Sequence, residues 1–148
     1  GQKAFGILQG NPVGKIIFDM RNNGGGNSAQ GTAFIERLAG FLKQHPGIKT
    51  YVVIGRSTFS SAILNTMDFK HLTDAVVVGE QTAGKPNHFG EVRSFQLPES
   101  KLTVAYSTKY FRRTDEEADT ITPDVRIEMS FTDFTKGIDP VYEWIKAQ

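Results

Sequence analysis

Tyr51-Val52-Val53-Ile54-Gly55-Arg56-Ser57-Thr58-Phe59-Ser60-Ser61-Ala62-Ile63-Leu64 is the stretch on which the reading of the fold turns. A β-like run, Tyr51-Val52-Val53-Ile54-Gly55, passes through Arg56-Ser57-Thr58 into a helix start rich in small residues, so a serine lands at a strand-to-helix junction. Backbone N–H groups at a helix N-terminus lack intrahelical partners and carry partial positive charge. An oxygen held there meets donors as it becomes negative, which suits a nucleophile. The plainer reading of Ser60 is an N-cap. Ser57 and Ser61 are the alternatives if the register differs by a few residues. Further on, a second β-like run, Ala75-Val76-Val77-Val78-Gly79, leads into Glu80-Gln81-Thr82-Ala83-Gly84-Lys85. Lys85 follows Ser60 by 25 residues in a glycine-bearing loop, and the two form a candidate Ser/Lys pair.

The same grammar precedes this pair. Lys15-Ile16-Ile17-Phe18-Asp19-Met20 is apolar on successive positions, as strands of a parallel sheet are. It ends in Arg21-Asn22-Asn23-Gly24-Gly25-Gly26-Asn27, where consecutive glycines allow positive φ and close backbone approach. From Ser28, read as the N-cap, Phe34, Leu38, Phe41 and Leu42 recur at helical spacing until His45-Pro46-Gly47 stops the helix. Strand and helix thus alternate through strand 51–55, helix 58–70 and strand 75–79, which predicts an α/β layout with parallel strands.

Beyond Lys85 the pattern changes. Phe95, Leu97, Leu102 and Val104 around Pro98-Glu99-Ser100 predict a β-hairpin. Arg112 to Thr122 is polar and acidic, and reads as a mobile surface loop. Val125, Ile127, Met129 and Phe131 alternate as a strand, and Asp139-Pro140 caps a last helix presenting Val141, Trp144 and Ile145 on one face. Residues 1–13 carry little pattern. Glu91 and Arg93 read as partners across a strand. Tyr106, Tyr110 and Phe111 read as core, or as the lining of a cleft for peptide side chains.

Bulk properties narrow the function. The 148 residues, 39% of them hydrophobic, suffice for one domain that buries roughly 70% of its unfolded surface. A net charge of +1 with dispersed Lys and Arg argues against a nucleic-acid partner. There is no cysteine, so disulfides and thiolate metal sites are excluded. The histidines, His45, His71 and His88, lack ligand spacing, and no metal is expected. The triple glycine does not satisfy Gly-x-Gly-x-x-Gly, so no dinucleotide is expected either, and no other cofactor is implied. No apolar run approaches the length of a membrane span, which takes roughly 18 residues. The chain opens on Gly1 rather than Met, and is read as a piece of a longer protein.

Three blocks in order, Phe18-Asp19-Met20-Arg21-Asn22-Asn23-Gly24-Gly25-Gly26, Thr58-Phe59-Ser60-Ser61-Ala62 and Val78-Gly79-Glu80-Gln81-Thr82-Ala83-Gly84-Lys85, resemble the signatures of the C-terminal processing, or tail-specific, serine peptidases of the S41 family. Pro123-Asp124 fits the same family, and the blocks together cover most of residues 15–130.

The resemblance implies a ClpP/crotonase-like α/β core with parallel strands and flanking helices, followed by the β-hairpin and the C-terminal helix. It also implies an endopeptidase acting on extended or unfolded polypeptides. Ser60 matches the nucleophile and Lys85 the general base. The backbone N–H groups of Gly24, Gly25 and Ser61 match the oxyanion donors. Such a lysine needs burial or a neighbouring cation to lower its pKa, and its loop is expected to supply the burial.

Where the family has glycine after the lysine and glutamine four residues after it, this chain has Pro86 and Phe89. His88 is the candidate substitute base, and Glu117 is the nearest match to the acidic residue of the tricorn-like branch, whose histidine has no counterpart before the glycine block. Residues 1–148 are thus expected to be a single, partial S41 catalytic domain without a PDZ module, with an N-terminal segment or domain as a possible partner outside the chain. The resemblance favours a periplasmic, cell-surface or secreted location. The alternative function on the same scaffold is a non-catalytic domain that binds a peptide or an apolar ligand.

Overall fold

The structure is a computed structural model and describes residues 2–148. Its centre is a four-stranded sheet in the order β1-β2-β3-β6, built from β1 (Lys15–Asp19), β2 (Lys49–Ile54), β3 (Val76–Gly79) and the short β6 (Val125–Arg126). All three pairings are parallel, with Phe18 opposite Val52 and Val53 opposite Val78. Crossover helices carry the chain back between parallel strands: α2 (Ser28–Gln44) links β1 to β2, and α3 (Ser61–Leu72) links β2 to β3. β2 and β3 are buried on both faces along most of their length, which is why they read as unbroken apolar runs, whereas β1 at the edge of the sheet leaves Ile17 and Asp19 exposed. Successive residues of β2 point to opposite sides. Val52 and Ile54 face a core that includes Phe5, Ile35, Leu38, Ile63, Phe69 and Val77, whereas Tyr51 and Val53 face Val78, Val141 and Ile145. Each fully buried side chain of this size, Leu38 or Phe69 for instance, contributes about 1.5–3 kcal/mol of hydrophobic stabilisation.

The predicted layout of parallel strands, flanking helices, hairpin and C-terminal helix is the one found. The last helix, α5 (Pro140–Ala147), is capped by Asp139, whose carboxylate accepts from the amides of Val141 and Tyr142. Asp139 also pairs with Arg21 at 2.8 Å, and Arg21 pairs with Asp19, so the end of β1 is tied to the start of α5. Hydrogen bonding from Arg21 holds the Asp19 carboxyl below its ordinary range. Burial pushes Asp139 up, but hydrogen bonds from Arg21 and the two amides outweigh it and leave Asp139 lowered as well.

Several local expectations are corrected. Residues 2–10 form a helix, α1 (Gln2–Gly10), because Phe5 packs between Phe34 and Phe41 with the Arg37 guanidinium over its ring. Asn27, not Ser28, caps α2, its side chain accepting from the Ala29 amide. The strand expected through Phe131 stops at Arg126. Ser130 and Asp133 form a capping box that starts α4 (Phe131–Lys136) instead. The hairpin is longer than expected, comprising β4 (His88–Gln96) and β5 (Thr103–Phe111). Glu91 pairs with Lys109 of β5 rather than with Arg93. Tyr106 and Tyr110 are exposed, not core.

Candidate active site

The site residues gather at the C-terminal ends of β1, β2 and β3, where loops leave an α/β sheet with room for a ligand. The chain turns sharply after β2. Thr58, fully buried, donates its hydroxyl to the Met20 carbonyl at 2.8 Å and accepts from the Gly55 amide at 3.0 Å, binding this turn to the end of β1. The Phe59 amide donates to the Asn23 carbonyl at 3.0 Å, so the glycine loop and the serine turn are one unit.

Ser60 follows, with φ 52° and ψ −120°. A non-glycine residue at positive φ is uncommon and costs on the order of 1–3 kcal/mol. Such strain marks the strand-to-helix turns that present a nucleophilic serine. Ser60 makes no side-chain capping bond, so the N-cap reading does not account for its hydroxyl. Ser61, the first residue of α3, belongs to the helical turn whose amides have no intrahelical acceptor. Its own hydroxyl is engaged by the Gly26 carbonyl at 2.6 Å, which leaves Ser60 as the half-exposed serine of the pair.

Gly25 lies against this turn. It has φ +106°, and a Cβ built on it would stand 2.8 Å from Ser60 Cβ and 3.0 Å from the Ser61 amide nitrogen. Only glycine lets the loop backbone approach the serine so closely. The Gly25 amide donates to Asn23 Oδ1 at 3.0 Å, so that side chain must turn aside before this amide can serve an oxyanion. Gly24 is adjacent, in the stretch lining a shallow cleft with Asp19, Asn22 and Asn23.

The loop after β3 comes onto the same turn. A Cβ on Gly84 would meet Ile63 Cδ1 at 2.8 Å and the Phe59 ring at 3.0 Å, so Gly84 packs beside the residues flanking Ser60, and Lys85 is next in sequence. The burial expected for Lys85 is not found: its side chain is 57% exposed. Its ammonium meets Asp119 Oδ1 at 2.5 Å, and that hydrogen bond, with the charges of Asp119 and Glu117, raises its pKa instead of lowering it. Glu117 therefore lies in the electrostatic field of Lys85 without contacting it as Asp119 does. His88 has Nδ1 at 2.9 Å from the Lys85 carbonyl, and its Nε2 is buried with no protein partner. In a neutral ring, donation from Nδ1 to that carbonyl leaves the lone pair on Nε2.

Asp124 of the Pro123-Asp124 pair has a structural place: its amide and carboxylate bond the Val77 carbonyl and amide, each at 2.8 Å, and so dock β6 on β3. A cleft of about 400 Å³, lined in part by Arg56, Ser57, Glu80, Ile127 and Met129, opens at the same strand ends as Ser60. A larger cavity, about 870 Å³, lies at the opposite ends of β2 and β3 and holds none of the site residues. Among the described residues no group of three or more His, Asp or Glu side chains is placed to hold a metal ion, and no helix is long and apolar enough to cross a membrane.

Comparison of the sequence with family models finds no match, and no curated protein matches it. The fold, in contrast, is that of S41 peptidase domains. The chain superposes on a crystal structure assigned as a peptidase from Parabacteroides merdae ATCC 43184, with a TM-score of 0.70 and 20% identity over 90% of this chain and 51% of that one. A protein assigned as an S41 protease from Bacteroides fragilis NCTC 9343 gives 0.60 and 16% over 85% of this chain and 41% of that one. The photosystem II D1 C-terminal processing protease gives 0.60 and 19% over 86% and 38%. The chain thus spans about half the length of the first of these structures and less of the other two.

Proposed function

We propose that this chain is the nucleophile-bearing part of a serine peptidase that hydrolyses extended or unfolded polypeptides. The observation that carries the reading is the conformation of Ser60: positive φ at a strand-to-helix turn, a hydroxyl free of capping duty, and the Gly25 backbone against it. Attack of Ser60 Oγ on a peptide carbonyl forms a tetrahedral adduct whose oxygen becomes negative. The Ser61 amide, and those of Gly24 and Gly25 once Asn23 turns away, are the donors for that charge. Losing one such donor typically costs about 3–4 kcal/mol of barrier.

Lys85 takes the Ser60 proton as the bond forms and returns it to the leaving amine, giving an acyl-enzyme that water then hydrolyses. The reactive form of Lys85 is the free amine. Because Asp119 favours the ammonium, activity rises with pH until Lys85 is deprotonated. An extended substrate meets the site as a strand, the mode in which main-chain hydrogen bonds provide affinity. The experiment is hydrolysis of an unfolded protein by the wild type and by Ser60→Ala, Lys85→Ala and His88→Ala variants. Loss in both the serine and lysine variants is the expected result. Loss in Ser60→Ala and His88→Ala but not in Lys85→Ala would transfer the base to His88, and full activity in Ser60→Ala would end the nucleophile assignment.

A further inference from the structure

Two loops meet at Lys85, and they are stitched together on both sides of it. On one side, the Thr82 amide donates to the Ile121 carbonyl at 3.2 Å, the Ile121 amide donates to Thr82 Oγ1 at 2.9 Å, and Thr82 Oγ1 donates to the Gly84 carbonyl at 2.8 Å. Thr82 and Ile121 are almost fully buried, so this clamp is part of the core. On the other side, Asn87 Oδ1 accepts from the amides of Arg113 and Thr114 at 2.7 and 3.2 Å, and its Nδ2 donates to the Thr114 carbonyl at 2.9 Å. Arg113 in turn reaches the buried Asp68 of α3 at 3.3 Å. The acidic stretch between the clamps, with Asp115, Glu116, Glu117 and Asp119, must therefore lie alongside Lys85. The loop expected to be mobile is anchored at both ends.

We infer that Asp119 is the positioning residue for Lys85 in the reaction proposed above: its carboxylate aims the lysine nitrogen and stabilises the ammonium formed when Lys85 takes the serine proton. This rests on the reading of Lys85 as the base. An ordinary exposed ion pair contributes little, about 0–1 kcal/mol, because two long side chains must be held in one geometry. Here the clamps at Thr82 and Asn87 fix both backbones in advance, so less ordering remains for the pair itself. The residue four positions after the lysine cannot take this part, since it is the apolar and largely exposed Phe89. The charged and titratable groups facing Lys85 are Asp119 and Glu117 from the acidic loop and Tyr110 from β5, with His88 of β4 at its carbonyl. Of these, Asp119 makes the direct ion pair.

The test combines two readouts on the wild type, Asp119→Asn, Asp119→Glu and Glu117→Gln. NMR of the lysine Nζ and Cε nuclei, with the Lys85 signal identified from Lys85→Arg, follows its titration independently of turnover. The pH profile of kcat/KM follows its part in the reaction. In Asp119→Asn the Lys85 titration and the rising limb of the profile both move to lower pH, and the plateau falls about tenfold to a hundredfold as the nitrogen loses its aim. Asp119→Glu recovers part of both effects, and Glu117→Gln moves the titration less than Asp119→Asn does. An unchanged Lys85 titration in Asp119→Asn overturns the pairing. A shifted titration with an unchanged profile overturns the positioning role while leaving the pair. A wild type unable to cleave polypeptide removes the peptidase reading and this role with it, and the titration then decides the pair alone.

Discussion

The serine turn and the lysine loop sit at the ends of neighbouring strands, yet they are held in opposite ways. Ser60 is fixed from beneath: buried Thr58 bonds two backbone groups, the Phe59 amide bonds Asn23, and α3 is buried along most of its length. Lys85 is fixed from the side, by a buried clamp at Thr82, a second clamp at Asn87 and an exposed ion pair with Asp119. The first arrangement can store backbone strain because the core over-determines it. The second leaves the charge in the open, where the hydrogen bond with Asp119 and that carboxylate's charge raise the lysine pKa. The strained Ser60 turn, proposed above to carry the nucleophile, is thus fixed by the core, whereas the proposed base is set by electrostatics open to solvent and pH.

Substitutions that break one side and spare the other sharpen this contrast. Ser60→Ala has the largest expected effect, a loss of about 10⁴-fold or more in kcat with thermal stability unchanged or slightly raised, measured by hydrolysis and melting together. Gly25→Ala is next. A Cβ 2.8 Å from Ser60 Cβ at φ +106° must shift the glycine loop, so turnover falls by about 10²–10³-fold through the lost oxyanion donors, with a loss of stability read by denaturation. Thr58→Val keeps the shape but leaves the Gly55 amide without its partner and the Met20 carbonyl with the Asn23 amide as its remaining donor, at a cost of about 1–3 kcal/mol in urea unfolding. It leaves the Lys85 titration where it was. Asp139→Ala, at a residue without a proposed part in the reaction, removes the cap of α5 and the ion pair with Arg21, and loss of the cap alone costs about 0.5–2 kcal/mol.

The acid side of stability follows from the same tie. Asp19 and Asp139 are held below their ordinary range in the folded chain, so their contribution is fully present above that range. It is lost as pH falls through their lowered folded values. Arg21→Met therefore lowers stability at neutral pH and flattens the acid-side fall, as denaturation across pH would show.

The sequence speaks plainly where one element decides its own structure. The runs at 51–55 and 75–79 are apolar on both faces, the run at 15–20 on the face of Ile16, Phe18 and Met20, and all three became parallel strands; Asp139-Pro140 is a local capping signal and became the start of α5. The serine turn was legible because strand, small residues and helix follow one another directly. Partners far apart in sequence were not legible. Asp119 meets Lys85 only because Thr82 finds Ile121 and Asn87 finds Thr114, and no local pattern announces those contacts. Residues 2–10 became helical through Phe5 docking on α2, a tertiary contact that overrides two glycines. The misread strand had a signal that was missed: Ser130 and Asp133 are a capping box set against an alternating pattern, and the box prevailed.

The strained turn is proposed to present Ser60 as the nucleophile. The most direct measurement is reaction with a fluorophosphonate, followed by mass-spectrometric mapping of the adduct in the wild type, Ser57→Ala, Ser60→Ala and Ser61→Ala. One adduct is expected, on Ser60, retained in Ser57→Ala and lost in Ser60→Ala. An adduct on Ser57 or Ser61, or a Ser60 that stays unmodified in the folded protein, would contradict it.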